Sequence, residues 1–366
     1  MMKEAILIIG DDLRINKELL NYIFDSYEEH FGELAVVNFA SRSSKDLPFI
    51  IENLSKEFEI LSIFGSDESF ATAAKILATL SEDTLELKVA DTLVPKSALS
   101  YKNDSFLIKL NNARVNLIKA DPCERLGEFL IESEQNFSYF NLFDIDAQSA
   151  KILLEPLAKT YEIKINLSEL ISSIVLIRAQ ANKFGQLEGF LQGVKTLFSQ
   201  KMIAQKDVIG FIAGKLMSKG LKISFAESCT AGLAAAKFAR YSGISAAFDG
   251  SLVTYANEIK HEWLGVSDEI LQSYGAVSEQ CVRSMLSGAL SSSNADFSLA
   301  ISGIAGPDGG SAQKPVGTVF VGAMSKDKSV VIERLLLKGD RNYIRSQSVL
   351  SAFACLLRLK SELFFA

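Results

Sequence analysis

The stretch that decides the fold is residues 222–260, which read KISFAESCTAGLAAAKFARYSGISAAFDGSLVTYANEIK. A short apolar run, Ile223 to Ala226, ends in a turn of small residues at 228–232, and an Ala-rich segment typical of a helix follows. Another apolar stretch near 245–255 indicates the next strand. Strand, turn, helix and strand in this order predict an α/β unit with a mostly parallel sheet.

Ser228 lies in this turn, between the end of a predicted strand and the start of a predicted helix. Backbone N–H groups at a helix start are unpaired and the helix dipole is positive there, which favours a nucleophile whose attack creates an oxyanion. Lys260 could serve it as a base and Tyr255 as a proton relay. The alternatives stay open at this point: an N-cap serine, a solvated lysine and a half-buried tyrosine.

Histidine and cysteine are scarce, which narrows the kinds of site that the chain can build. The two histidines are His30 and His261, so His-rich metal sites are excluded, and a serine hydrolase would more naturally use lysine as its base. The four cysteines form no CxxC pair. We therefore expect a reduced, cytoplasmic protein that needs no metal or organic cofactor.

Composition excludes several other classes of protein. The chain has 366 residues, 48% of them apolar and 22% charged, as in globular proteins with two or three domains. A net charge of −6 argues against a broad nucleic-acid-binding face. No apolar run has the length of a membrane span, and the first ten residues lack the pattern of a secretory signal. We expect neither nucleic acid nor membrane as a partner.

Two further motifs could bind an anion. The glycine-rich loop 303–310 offers consecutive N–H groups that could hold a phosphate or an oxyanion, although a plain turn is equally compatible with it. Arg341 and Arg345 are four residues apart and share a helix face, so they could grip a phosphate or form a solvated face. The loop is not a Walker A motif, because no Gly-Lys-Ser/Thr follows it.

The order of predicted elements divides the chain into three units. Residues 1–133 read as an α/β domain, residues 134–200 as a small α+β module, and residues 207–366 as a second α/β domain after a linker at 198–206. The pattern predicts strands at 4–9, 34–39, 59–64, 106–110, 114–119, 162–166, 174–179, 222–226, 297–302, 316–324 and 329–336, and helices at 16–31, 47–56, 69–80, 147–160, 186–199, 207–218 and 279–291, with a last helix from about 341.

Seven ordered blocks resemble the C-terminal domain of the CinA (competence/damage-inducible) family. They are AESCTAG at 226–232, VTYANEIK at 253–260, LGV at 264–266, GAVSE at 275–279, SGIAGPDGG at 302–310, KPVGTVFV at 314–321 and GDRNYIR at 339–345. The resemblance implies a Ser–Lys amidohydrolase that converts nicotinamide mononucleotide to nicotinate mononucleotide and ammonia. It also implies that residues 1–133 are a domain similar to molybdopterin-binding proteins, followed by the small α+β module.

The resemblance assigns roles to individual residues. Ser228 would be the nucleophile, Lys260 its general base and Tyr255 an assisting hydroxyl. Ser245, Ser302 and Arg341 fall at positions that the family associates with its substrate pocket. The remaining predicted substrate-binding residues belong to the turn, the glycine loop and the last helix: Thr230, Gly232, Gly303, Gly306, Gly309 and Arg345.

The chain departs from the family pattern in both α/β domains. Ala231 stands where the family usually has glycine, and a methyl group there could crowd the oxyanion pocket if the residue needs a positive φ. After the third strand, residues 64–69 lack the expected glycine nest and paired aspartates, so we predict that the N-terminal domain is catalytically silent.

Two alternative functions stay open beside the amidohydrolase, and the sequence also favours an oligomer. One is a non-catalytic nucleotide-binding or regulatory protein of the CinA type. The other is an ADP-ribose pyrophosphatase that acts through the N-terminal domain. The apolar stretch 348–366 favours a homo-oligomer, with a dimer as the preferred form.

Overall fold

The computed structural model describes residues 3–88, 92–133 and 136–365. The chain divides into two compact units, Met1–Gln135 and Asn136–Ala366. The predicted division into three domains stays a prediction. Among the described residues, no helix combines the length and the apolar character that a membrane span requires.

The first unit is built on a six-stranded sheet with the order β2-β1-β3-β8-β7-β6. Its strands are β1 Glu4–Ile9, β2 Val36–Ala40, β3 Ile60–Gly65, β4 Leu85–Leu87, β5 Leu93–Pro95, β6 Ser100–Lys102, β7 Ser105–Leu110 and β8 Ala113–Lys119, and its helices are α1 Asp11–Ile15, α2 Lys17–Phe31, α3 Leu47–Glu57 and α4 Asp67–Leu80. Strands β4 and β5 form a separate pair. Strands β1, β2, β3 and β8 are parallel, and β7 and β8 form the predicted hairpin.

Helices cover both faces of this sheet, which explains why its central strands are apolar without alternation. In β1, Ala5, Leu7 and Ile9 belong to one apolar cluster, and Ile6 and Ile8 belong to another. A parallel strand buried on both faces reads as a continuous apolar run. The short strands β4, β5 and β6 were not predicted, because three residues are too few for a pattern.

The second unit begins with a four-stranded antiparallel sheet in the order β10-β11-β9-β12. Its elements are β9 Phe137–Phe143, α5 Ala147–Thr160, β10 Ile163–Ile171, β11 Ile174–Ala181, α6 Leu187–Leu197 and β12 Met202–Ile203. The prediction of a linker at 198–206 is wrong in part, since Met202 and Ile203 pair with β9. Strand β9 was missed altogether.

A five-stranded mixed sheet forms the rest of the second unit, in the order β14-β13-β15-β16-β17. Its strands are β13 Ile223–Glu227, β14 Phe248–Val253, β15 Phe297–Gly303, β16 Thr318–Ser325 and β17 Val330–Leu336, and its helices are α7 Val208–Lys219, α8 Leu233–Phe238, α9 Asn257–Leu264, α10 Asp268–Ser273, α11 Glu279–Ser291, α12 Arg341–Leu359 and α13 Ser361–Phe365. Helices α9 and α10 were not predicted.

The first three strands of this sheet, β14, β13 and β15, are parallel, so their carboxyl ends lie at one edge. Strand β16 runs antiparallel to β15 and therefore begins at that same edge. Alternating residues pack on opposite faces: Phe225 lies in the cluster with α7 and α12, whereas Ala226 lies in the cluster with α11. The predicted α/β class is confirmed, and the edge collects most of the residues singled out in the sequence.

Candidate functional site

Ser228 directly follows β13 at the carboxyl edge of the sheet, as the strand–turn–helix pattern predicts. Its N–H donates to the Ile301 carbonyl (2.9 Å), and the Thr254 N–H donates to the Glu227 carbonyl (2.8 Å). These bonds extend the β ladder by one residue beyond each strand end. Ser228 is therefore fixed between β14 and β15. Its hydroxyl forms no hydrogen bond with any residue that the structure describes.

The turn after Ser228 passes through two left-handed residues, Ala231 (φ 48°) and Gly232 (φ 87°). Glycine adopts this region without steric cost, whereas alanine does not. In the described part of the chain, the N–H groups of Cys229, Thr230 and Gly232 have no backbone acceptor. The turn thus presents unpaired donors beside the serine, which is the requirement for oxyanion binding.

Glu227 is the residue of this site that the sequence analysis missed. Its side chain is fully buried and accepts hydrogen bonds from the Ala234 N–H (3.0 Å), the Ala235 N–H (3.0 Å) and the Ser251 hydroxyl (3.0 Å). The first two close the turn onto the start of α8. A glutamate that ends a buried, mainly apolar strand immediately before a serine was the available signal, because a charge at a buried strand end must find partners.

Lys260, on α9, is the most unusual ionisable group here. Only 1% of it is exposed, and its Nζ donates to the carbonyls of Thr254 (2.8 Å) and Tyr255 (2.9 Å). No carboxylate among the described residues pairs with it. Burial lowers the pKa of Lys260, and the nearby Cys281, Cys229 and Glu258 oppose that change only in part.

The hydrogen bonds of Lys260 suit the neutral amine. An ammonium has three N–H donors, and the residues that the structure describes offer Lys260 Nζ only two acceptors. A neutral amine would use both of its N–H groups on these carbonyls and keep a free lone pair. Since Thr254 adjoins Ser228 across one strand spacing of about 4.8 Å, the amine lies in the neighbourhood of the serine.

Tyr255 is 56% exposed, and its hydroxyl does not contact Lys260. Instead it accepts a hydrogen bond from Arg341 Nη2 (2.9 Å), whose Nη1 donates to the Gly306 carbonyl (2.7 Å). Only the main-chain carbonyl of Tyr255 reaches Lys260. Arg341 thus joins the tyrosine to the glycine loop at the entrance of the site.

Arg345 lies one helical turn after Arg341 and contacts the nucleophile turn. Its Nη2 donates to the Thr230 carbonyl (2.6 Å), while its Nε is buried and unpaired among the described residues. The Thr230 hydroxyl is likewise buried and unpaired there. The prediction that these arginines share a face is therefore consistent with their contacts at one end of α12.

The three glycines predicted in the loop have different structural reasons. A Cβ on Gly303 would meet Val319 Cγ2 at 2.7 Å, so glycine allows β15 and β16 to pair closely. Gly306 (φ 82°) and Gly309 (φ 90°) occupy the left-handed region. Ser302, at the end of β15, is fully buried and donates to the Ala276 carbonyl (2.7 Å). Anion binding by this loop stays a prediction.

Ser245 is the predicted site residue that the structure separates from the others. It lies in a short 3-10 helix, Ile244–Ala246, just before β14. Because Phe248 at the start of β14 pairs with Ile223 at the start of β13, Ser245 is at the amino edge of the sheet, away from Ser228 within this chain. Ser245 precedes the first residue of β14, so the whole length of that strand lies between it and the carboxyl edge.

Comparison with known proteins identifies the family. Residues 205–360 match the family model described as the CinA C-terminal domain. The nicotinamide-nucleotide amidohydrolase PncC of Enterobacter agglomerans is 48% identical over 147 residues, which span 40% of this chain and 90% of that protein. The chain belongs to the CinA family. The resemblance seen in the sequence is thereby confirmed.

Other CinA relatives are longer than the matched region. A CinA-like protein of Fervidobacterium nodosum is 48% identical over 143 residues, covering 39% of this chain and 35% of that protein. A competence-damage inducible protein of Clostridium beijerinckii is 42% identical over 47% of this chain and 42% of that protein. This CinA chain thus matches less than half the length of these two relatives.

The crystal structure of the competence/damage inducible protein CihA from Agrobacterium tumefaciens is also similar to this chain. The two sequences are 40% identical and the TM-score is 0.41; the match covers 42% of this chain and 93% of that one.

The first unit of this CinA protein has a cavity of about 490 Å³ at the carboxyl edge of its sheet. Its lining is polar and includes five carboxylates, among them Asp11, Asp12 and Asp121. The Lys119 ammonium lies 3.0 Å from Asp67 and 3.3 Å from Asp121. Among the described residues, no group of His, Cys, Asp and Glu side chains could hold a metal ion. That this domain is catalytically silent, and that it is molybdopterin-binding-like, stay predictions.

Proposed function

We propose that this CinA protein hydrolyses the carboxamide of nicotinamide mononucleotide, giving nicotinate mononucleotide and ammonia. The observation that carries the proposal is Lys260, a buried amine with a lowered pKa, two carbonyl acceptors and no ion-pair partner among the described residues. One of those carbonyls belongs to Thr254, which adjoins Ser228 on the neighbouring strand. The Enterobacter agglomerans relative is itself named a nicotinamide-nucleotide amidohydrolase.

In the first step, the neutral Lys260 amine takes the proton of the Ser228 hydroxyl, and the Ser228 oxygen attacks the amide carbon. The hydrogen bond between the two side chains would form with substrate bound, as is common for catalytic pairs.

The unpaired N–H groups of Cys229, Thr230 and Gly232 are available to the oxyanion that this attack creates. Loss of one such donor typically raises the barrier by about 3 kcal/mol. The Lys260 ammonium then gives its proton to the departing nitrogen, which leaves as ammonia. Water attacks the acyl-enzyme, its proton returns to Lys260, and Ser228 recovers its hydrogen as nicotinate mononucleotide is released.

The substrate phosphate would bind at Arg341 and the glycine loop. Arg341 already bridges Tyr255 and Gly306, so its guanidinium is held in a fixed orientation beside that loop. Tyr255 then serves to orient Arg341, and relay of a proton through its hydroxyl is not required. Arg345 would hold the turn after Ser228 in place through its hydrogen bond to the Thr230 carbonyl.

Ammonia release from nicotinamide mononucleotide by the purified full chain tests the proposal. We expect Ser228→Ala to reduce kcat by at least a factor of about 10³ with the fold intact, because the nucleophile is lost. Ser298→Ala is the matched control: Ser298 is a fully buried serine within the same sheet, and its hydroxyl donates to the Leu286 carbonyl. It should keep wild-type kcat.

Two results would contradict the proposal. Turnover by Ser228→Ala at the wild-type rate would remove Ser228 from the mechanism. Binding of the mononucleotide without any ammonia release by the wild-type protein would favour the regulatory alternative instead. We also propose a cytoplasmic setting, which fits the four free cysteines, and a dimeric assembly, which the apolar stretch 348–366 favours.

A further inference from the structure

Hydroxyl side chains line up across the carboxyl edge of the C-terminal sheet. Ser228 adjoins Thr254 on one side and Ser302 on the other, because Glu227 is in register with Val253 and Ile301. Neighbouring strands are about 4.8 Å apart. Three hydroxyls on adjacent strands therefore lie within reach of one small ligand.

The three hydroxyl residues share the face of the sheet on which α9 and α11 pack. Two residues earlier on their strands, Ala226, Leu252 and Ala300 all belong to the cluster on that face. Side chains two apart on a strand point to the same face, and the ladder continues through Ser228 and Thr254. Lys260, on α9, lies on this face too.

The side-chain hydroxyl of Thr254 differs from that of Ser302, because it has no hydrogen-bond partner in the described part of the chain. The Ser302 hydroxyl donates to the Ala276 carbonyl (2.7 Å), whereas the Thr254 hydroxyl is buried and unpaired among the described residues. Thr254 as a whole is fully buried. A buried hydroxyl without a hydrogen bond destabilises a protein. A ligand that bound to the Thr254 hydroxyl would supply the hydrogen bond that the ligand-free protein lacks.

The main chain of Thr254 already belongs to the catalytic arrangement. Its carbonyl accepts from Lys260 Nζ (2.8 Å), and its N–H donates to the Glu227 carbonyl (2.8 Å), one residue before Ser228. The backbone of Thr254 therefore connects the proposed base to the proposed nucleophile. Its side chain starts from the same Cα, between those two groups.

We propose that Thr254 contacts the substrate directly, its hydroxyl pairing with the carboxamide that reacts at Ser228. This inference rests on the proposed function and adds a residue to it. Thr318 also has a buried, unpaired hydroxyl, but it begins β16, two strands from β13 and about 10 Å away. The Thr230 hydroxyl, two residues after Ser228, is also buried and unpaired among the described residues, but of these three threonines only Thr254 binds Lys260 through its carbonyl. Thr254 is therefore the unpaired threonine that adjoins both the proposed base and the proposed nucleophile.

The test compares Thr254→Val with Thr254→Ser in the full chain. Valine keeps the shape and removes the hydroxyl, so we expect kcat/KM for nicotinamide mononucleotide to fall about 10- to 100-fold. The same change should raise the Tm of the ligand-free protein by roughly 2–4 °C, because an unsatisfied polar group leaves the core. Thr254→Ser should restore kcat/KM to within about threefold of wild type.

Opposite signs of the activity and stability changes are the diagnostic result. Wild-type kcat/KM in Thr254→Val would overturn the proposal. A lower Tm of the ligand-free variant would also overturn it, since the hydroxyl would then already be paired in the free protein, for example by a buried water molecule.

A third measurement separates this proposal from the proposed function. If the wild-type protein releases no ammonia, the proposed function is wrong. The contact of Thr254 is then tested by binding alone, by comparing Ser228→Ala with the double variant Ser228→Ala/Thr254→Val. A smaller rise in Tm on adding nicotinamide mononucleotide when Thr254→Val is also present would support the contact. An equal rise, or no rise in either protein, would overturn it.

Discussion

At Lys260, burial and a shortage of acceptors act in the same direction. Removal of the side chain from water disfavours the ammonium, and two carbonyls satisfy only two of its three donors. The pKa is consequently lowered from its usual value near 10.5. A single lysine can therefore be a base in this fold without a histidine or a metal.

Replacement of Lys260 by methionine should change how stability depends on pH. The pKa of Lys260 is lower in the folded protein than its ordinary value of 10.5 in the unfolded chain. Between these two pKa values the unfolded chain binds more protons than the folded protein, so the free energy of unfolding of the wild type should rise with pH over that range. Lys260→Met should lack this rise. Denaturant unfolding of both proteins across that range measures the difference, and parallel curves would contradict a lowered pKa.

The turn between β13 and α8 combines local strain with a compensating set of hydrogen bonds. Ala231 holds a φ of 48°, which costs an alanine about 1–2 kcal/mol. The buried Glu227 carboxylate ties the far end of the turn to the strand through Ala234 and Ala235. The departure from the family glycine is thus tolerated because other contacts determine the shape of the turn.

Ala231→Gly should stabilise the protein by about 0.5–1 kcal/mol. Relief of the left-handed strain exceeds the extra backbone entropy that glycine loses on folding. Ala231 is exposed, so no packing is lost. Equilibrium unfolding in denaturant measures the gain, and kcat should stay close to wild type.

Ala236→Gly is the matched control for that prediction. Ala236 is an exposed alanine of the adjoining helix α8, where the backbone is right-handed. Glycine there should destabilise the protein by up to about 1 kcal/mol. Equal signs for the two substitutions would show that the turn does not impose the positive φ on Ala231.

At the scale of the molecule, the small α+β module shares a core with the sheet that carries the site. Phe143, Ile171 and Ile174 belong to the same buried cluster as Phe225 and Phe364. Arg358 of α12 adds an ion pair with Asp144 (2.7 Å) at this junction. The module is therefore part of the environment that supports α12, and with it Arg341 and Arg345.

A fragment of residues 205–366 should be less stable than one of residues 136–366. It loses Phe143, Ile171 and Ile174 from the core, each worth about 1.5–3 kcal/mol. The longer fragment should match the full chain in kcat, because it keeps every proposed site residue. Denaturant midpoints compare the fragments; equal values would mean that the module adds nothing to the stability of the site.

The class of fold and the order of its main elements followed from the sequence by itself. Apolar runs that end in or are followed by small or polar residues form strands β1, β3, β13 and β15. Such a local pattern can be read without knowing which strands pair with each other. The strand–turn–helix around Ser228 was predictable for the same reason. The ordered motifs by themselves also indicate the family.

The tertiary structure alone decided which side chains meet. Burial of Lys260 and Glu227, the free hydroxyl of Thr254, and the position of Ser245 at the opposite edge all depend on which strands pair and in what register. Strand β9 likewise depends on its pairing with β11, and strand β12 on its pairing with β9, which is distant in sequence. Periodicity is a property of neighbours in sequence, whereas burial and pairing are set by residues that the chain brings together only on folding.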